Sequence, residues 1–478
     1  MPDSVKPANE RSWSTFGGLV LFLLVIQTPF MALAQFPRTK LFSLFPPGGS
    51  AGSSQEVQLK TGTDLEGVGG LRFSHPGITA VQKYLEPAPT WPFPKPVEGH
   101  FIVTIASDVP PGVYDVRAFG SHGVSNARAF VVSDLEERIE AAANTDVDKA
   151  TEISVGSVVN GTAQAGTADY FSFEAREGQR LLIDCHAERI DSRMDATLVL
   201  YDADGRELQR QRDTIRRDPL VDFLVPADGT YLVKVYDFLH GGGDEYFYRL
   251  SVSTGPYIDF IFPPAVAAGT SGSYAIYGRN LPGSSPAPDI TVNGQSLEKL
   301  IMEIEVPAFV DQTALPVNSM VSPAESVLDA MSYRLATPQG TSNLVRLGFA
   351  TAALVVEQEP NNDPSEANVL TLPCEIAGRF NNRRDVDWFT FDATKAAVYY
   401  VEVYSHRLGL PTDPYLLIQR VTEDPEKESG VEDVKEVDDL DEVGIDATYD
   451  SRTADPIFRF TVPEDGTYRI LVRDLNAT

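Results

Sequence analysis

A chain of 478 residues is long enough for three or four domains, and its net charge of −29 excludes nucleic acid and anionic membrane surfaces as partners, since phosphate backbones and acidic headgroups repel it. Cations are the natural counterpart. The two cysteines, Cys185 and Cys374, read as buried or inert thiols, with a disulfide between them as the alternative.

The first element is apolar. After the basic residues Lys6 and Arg11, an apolar run from Phe16 to Phe30 is interrupted at Gly17, Gly18, Gln27, Thr28 and Pro29 and ends in Ala32-Leu33-Ala34. A basic start, a short apolar run and a small-x-small end are the pattern of an export leader, so residues 1–34 read as a signal peptide with the mature chain starting near Gln35. An uncleaved anchor is the alternative. Either way the rest is expected in the periplasm, at the cell surface or secreted.

The mature chain repeats itself with a period of about 217 residues. Phe223 to Phe238 (FLVPADGTYLVKVYDF) returns as Phe460 to Leu475 (FTVPEDGTYRILVRDL), with nine of sixteen residues identical. Asp169 to Ala175 (DYFSFEA) returns as Asp387 to Ala393 (DWFTFDA), and Leu44-Phe45-Pro46-Pro47 as Ile261-Phe262-Pro263-Pro264. Arg117, Gly123, Ser125 and Asn126 recur as Arg334, Gly340, Ser342 and Asn343. This predicts four modules in the order A-B-A-B, at 36–133, 134–255, 256–353 and 354–478. Features held by both copies are then mostly structural, and features held by one are candidates for something else.

Short runs of β-branched and aromatic residues, such as Tyr231 to Tyr236 and Phe247 to Val252, alternate with Gly, Pro, Asn and Asp turns. The fold class is therefore all-β, as tandem β-sandwiches. Short helices are expected only over Leu135 to Ala143 and Ala324 to Ala330. The run from Glu423 to Asp446, twelve carboxylates against Lys427 and Lys435, reads as a solvated insertion. Asp202-Ala203-Asp204-Gly205 reads as a turn, because no bidentate acid follows at EF-hand spacing.

Two resemblances sharpen this outline. The A modules, with an FPP opening, Gly52 or Gly269, and then Asp64-Leu65-Glu66-Gly67 or Asn280-Leu281-Pro282-Gly283, resemble the immunoglobulin-like IPT/TIG domain. The B modules resemble the bacterial pre-peptidase C-terminal domain, through Glu359-Pro360-Asn361-Asn362, Asp385-Val386-Asp387-Trp388-Phe389-Thr390-Phe391, Asp413-Pro414-Tyr415-Leu416 and the PEDGTY turn. That resemblance implies a jelly-roll-like sandwich that accompanies secreted peptidases, related to the collagen-binding segment of clostridial collagenases. It implies an accessory binding role.

The second B module carries the candidate site. Glu357, Glu359 and Asn361 alternate along an extended stretch, which turns their oxygens to one side, and Asp385 and Asp387 alternate likewise at a strand entry. Ca²⁺ takes six to eight oxygen ligands, and these five side chains can supply most of them. In the related collagen-binding segment an acidic linker and a D-x-D pair hold calcium in this way. Ordinary solvated acids are the alternative. The first B module reads Glu136-Glu137-Arg138-Ile139-Glu140-Ala141 and Thr167-Ala168-Asp169 in the same places, without the EPNN signature.

No catalytic constellation stands out. The six histidines fit no metal spacing, and neighbouring strand residues Cys185 and His186 are expected to point to opposite faces. The first B module continues past its Tyr231–Tyr236 strand to one more strand, with no counterpart before Thr478, so a longer protein is expected. The function expected is a non-catalytic, exported binding or spacer protein for extracellular protein or polysaccharide, with calcium stabilising the second B module. The alternative is the non-catalytic front portion of a secreted peptidase or other hydrolase.

Overall fold

Alternation of side chains sets the secondary structure. In Gly229–Asp237 the residues Tyr231, Val233, Val235 and Asp237 are buried and their neighbours half-exposed, the two-residue period of a strand with one face on a core. The computed structural model describes residues 37–87, 89–140, 144–292, 294–308, 324–422, 430–439 and 451–476. The leader assigned to 1–34 lies outside them. Among the described residues there are strands and short 3-10 turns but no α-helix, so the chain is all-β. No helix among them is long and apolar enough to cross a membrane.

The first stretch of chain forms a sheet in the order Lys40–Phe45, Ser54–Thr63, Lys95–Ile105, Ile78–Leu85. A second sheet, built around Arg128–Ser133 and Gly112–Gly120, closes over Leu41, Val57, Phe101, Tyr114 and Phe130. The same succession returns as Tyr257–Phe262, Ser271–Arg279, Gln295–Glu305, Ser285–Val292. Each of these units is tied by one clasp. Asn126 donates to Leu41 O and accepts from Leu41 N, while Ser125 Oγ accepts from Ala118 N. Asn343 does the same with Ile258, and Ser342 with Leu335. Arg117 and Arg334 donate to Ser125 O and Ser342 O, so the repeated Arg, Ser and Asn hold strand ends together.

Between them, residues 136–253 form two five-stranded sheets. One runs Glu136–Ile139, Ser157–Thr162, Phe247–Ser253, Arg180–His186, Leu220–Leu224. The other runs Thr151–Glu152, Asp169–Ala175, Gly229–Asp237, Ala196–Tyr201, Glu207–Gln211, and the core lies between them around Phe171, Phe173, Leu198 and Leu250. Cys185 points into this core, while His186 turns the other way and its Nε2 lies 2.9 Å from Asp184 Oδ2. Cys185 and Cys374 are both free.

The last stretch repeats the second of these sheets as Asn368–Val369, Val386–Ala393, Gly466–Asp474, Pro414–Val421, Val431–Val437. The first returns as two separate pairs. Ala353–Val356 lies parallel to Cys374–Ala377, and Val398–Glu402 antiparallel to Ile457–Thr461. Among the described residues no strand joins them.

Three local expectations are corrected. The predicted helix over Leu135 to Ala143 is instead the strand Glu136–Ile139, paired parallel with Ser157–Thr162. Its helix-forming composition yields because Glu137 is drawn inward to Arg249 Nη2 and accepts from Asn160 Nδ2. The segment predicted as the Ala324 helix forms a 3-10 turn only at Glu325–Val327 and is a strand again from Ala330. The acidic run is not uniformly a loop either: Val431–Val437 is an edge strand, with Val434 packed on the core. The run's remaining parts, 423–429 and 440–446, lie outside the described residues.

Candidate cation site

The linker strand Ala353–Val356 delivers residues 357–362 across the start of Val386–Ala393, where Trp388 N donates to Asn361 O at 2.9 Å. That one backbone bond sets the linker's oxygens against the D-x-D pair. Ligand atoms of Glu359, Asp385 and Asp387 lie within 4.8 Å of one another, with both aspartates buried and Glu359 exposed. Asn361 is fully buried. One terminal atom of its amide faces Glu359 Oε2 and Asp387 Oδ1; with nitrogen there, it donates to both at 2.8 and 3.3 Å. With oxygen there, the four side chains present oxygen alone, the donor set of a hard cation.

Glu357 stands beside this group. Its Oε1 accepts from Arg379 N at 2.5 Å, and its Oε2 is buried with no hydrogen-bond partner. Asn381 braces the acids, its N donating to Asp385 Oδ2 at 2.5 Å and its Nδ2 to Glu359 Oε1 at 2.6 Å. Burial pushes the Asp387 carboxyl up to about 8, and the charges reinforcing that shift are all carboxylates: Glu357, Asp385 and Glu359. Glu357 rises to about 7, first by burial and then by the charge of Glu359. Carboxylates crowded at this density need a proton or a cation. Four of the five residues picked from the sequence converge, and Glu357 flanks them. Asn381, Asn362 and Arg379 were missed. The EPNN motif names Asn362, but the other two lie on a loop with no spacing signal.

A second cluster, Asp413, Asp438 and Asp439, has ligand atoms equally close but lies more open, with two of its three residues exposed.

The first B module holds a counterpart. Glu140 and Asp169 occupy the places of Glu357 and Asp387, and burial lifts them to about 7 and about 6. Between them stands the Tyr248 hydroxyl, 2.7 Å from Glu140 Oε2 and 2.8 Å from Asp169 Oδ2. Glu140 belongs to no motif, but the repeat offset of about 217 residues places it opposite Glu357.

Residues 167–237 match the family model of the bacterial pre-peptidase C-terminal domain. A probable subtilase-type serine protease from Deinococcus radiodurans is 40% identical over 68 residues, 14% of this chain and 9% of that protein. This chain therefore spans under a tenth of that relative's length. Among solved structures, the pre-peptidase C-terminal domain of a Bacillus anthracis collagenase is 21% identical, with a TM-score of 0.19, covering 22% of this chain and 93% of that one. The Bacteroides ovatus protein SGBP-B from a mixed-linkage glucan utilization locus, solved with a mixed-linkage heptasaccharide, is 13% identical with a TM-score of 0.17, covering 57% of this chain and 70% of that one.

Proposed function

We propose that this chain is an exported, non-catalytic binding or spacer protein of the cell envelope or exterior. In this reading immunoglobulin-like and pre-peptidase C-terminal modules alternate twice, and Glu357, Glu359, Asn361, Asp385 and Asp387 hold a calcium ion in the last module. The observation that carries the calcium assignment is the meeting of three carboxylates within 4.8 Å of one another, beside a buried Asn361 amide that can turn its oxygen to them and a buried, unpartnered Glu357 oxygen. Those donors fit a hard cation and would not suit a soft one. The ion would neutralise the crowded acids and fasten the linker to the sandwich. Its ligand outside the cell would be a protein or polysaccharide polymer.

Calorimetric titration of the 478-residue chain with calcium tests this. Saturable heat is expected, with a rise in melting temperature equivalent to about 2.7 kcal/mol at a hundredfold excess over Kd. Asp387→Asn should abolish both, and Asp439→Asn neither. No heat and no thermal shift in the parent protein would remove calcium from the reading.

The 40% match to a segment of a probable subtilase-type protease favours a second reading, in which these modules accompany a secreted peptidase. Proteolysis by the product of the whole gene would favour it over the spacer.

A further inference from the structure

In residues 136–253 the sheet Thr151–Glu152, Asp169–Ala175, Gly229–Asp237, Ala196–Tyr201, Glu207–Gln211 has one face on the core and one outside. On the core face Phe171, Phe173, Leu198, Tyr231 and Val235 return in the last module as Phe389, Phe391, Leu416, Tyr468 and Val472. At the centre of the outer face the residues change. The register row Tyr170, Lys234, Val199, Arg210 becomes Trp388, Leu471, Leu417, Glu436. Tyr236 becomes Arg473, and Tyr201 becomes Gln419. What the fold needs is kept in both copies, so this row belongs to something that only the first copy does.

The row gathers donors that the protein itself does not use. The Lys234 ammonium lies 5.7 Å from the centre of the Tyr170 ring and 5.0 Å from that of Tyr236. Among the described residues no carboxylate pairs with it, since the nearby Glu207 is held by Arg210 at 2.7 and 3.0 Å. Arg210 Nη1 also donates to the Tyr236 hydroxyl at 2.9 Å, which leaves that hydroxyl its own proton to give. Tyr170, Tyr201 and Tyr236 are all half-buried, and the first two hydroxyls have no acceptor among the described residues. An ammonium and three phenols thus share one face with no acceptor of their own, in a chain whose net charge is −29.

We propose that this face binds an acidic polysaccharide. Lys234 and the Tyr236 hydroxyl take a sugar carboxylate, and the rings of Tyr170 and Tyr201 pack against the apolar C–H faces of the sugars while their hydroxyls donate to sugar oxygens. The inference deepens the binding-protein reading, on which it rests, by naming the ligand class. An acidic peptide fits the place less well. Peptides are recognised through a free sheet edge or a groove, whereas the strands bearing Tyr170, Tyr201, Lys234 and Tyr236 lie inside the sheet, with their backbone groups engaged by neighbours on both sides. What this face offers is side-chain rings and charge, which suit stiff sugar rings bearing carboxylates.

The test is calorimetric titration of the 478-residue protein with a short oligogalacturonate in chelator, which keeps calcium from bridging uronates and leaves the result independent of the calcium reading. Expected is saturable binding that Lys234→Met weakens about tenfold and Tyr236→Phe about threefold, with melting temperatures unchanged. Arg473→Met, at the place of Tyr236 in the last module, should change nothing. Absence of saturable binding overturns the proposal, as does binding that survives Lys234→Met intact or is lost on Arg473→Met instead. A neutral glucan or poly-glutamate that binds as tightly as the uronate overturns the ligand class while the binding-protein reading stands.

Discussion

A hydroxyl has one proton to give, yet Tyr248 sits within hydrogen-bond distance of two carboxyls, Glu140 and Asp169. The second contact needs a proton on one of them, in keeping with their lifted values of about 7 and about 6. The unfolded chain releases these protons nearer the ordinary carboxyl range of 4.5 and 3.8. Between about pH 4.5 and 7 the native state therefore binds more protons than the unfolded state. The stabilisation is complete at the acid end and is lost as pH rises through about 7. Thermal melts at pH 5.5 and 8 should show the parent losing about 2 kcal/mol more than Glu140→Gln, which has one carboxyl fewer to crowd. Equal losses would mean that the pair is not sharing a proton.

At the scale of elements, the two B modules share a device that neither motif nor composition announces. After Arg180–His186 the chain makes a 3-10 turn, Glu188–Ile190, whose leading N–H groups at Ala187, Glu188 and Arg189 all donate to Asp218. Arg189 Nε pairs with the same carboxylate at 2.8 Å. The copy is complete: Ser405, His406 and Arg407 donate to Asp455, and Arg407 Nε lies 2.9 Å from it. Both aspartates are fully buried. Asp455→Ala would leave three N–H groups and Arg407 Nε without their acceptor, though Arg407 keeps Glu402, and should cost about 3 kcal/mol in chemical denaturation, with Asp218→Ala costing a similar amount because Arg189 likewise keeps Asp184. A loss below about 1 kcal/mol in either would show that water replaces the carboxylate.

Strands and turns were legible because a two-residue period and Gly-bearing turns are local signals, as Gly229–Asp237 shows. The D-x-D pair and the EPNN linker were legible because side-chain alternation is simple to project. Asp218 and Asp455 were not, although Asp-Pro recurs at both places, since their partners lie about 30 and 50 residues away. Glu136–Ile139 misled for the opposite reason: its helix-forming residues are overruled by a partner, Arg249, more than a hundred residues later.

At the scale of the molecule, the sandwich of residues 136–253 is joined to the strands that follow it through buried charge. Where the first B module meets the second A module, Arg279 is 2% exposed, with its Nε 3.0 Å from Asp222 Oδ2 and its Nη2 3.0 Å from Asp259 Oδ1. Arg180 bridges Asp222 and Glu298 across the same boundary. Between the second A module and the last B module, Arg379 lies over the rings of Phe262 and Tyr277 while its backbone N–H holds Glu357.

The Arg279 joint can be tested by its asymmetry. Removing the arginine leaves Asp222 with Arg180 but leaves Asp259, already lifted to about 6 by burial, facing Asp222 without its main cation. Arg279→Leu should therefore cost about 3 kcal/mol, and the calorimetric transition of residues 134–353 should split in two. Adding Asp259→Asn removes the stranded charge and should recover part of the loss. If the double variant is no more stable than the single one, the cost of Arg279→Leu is lost packing rather than unpaired charge, and the joint is steric.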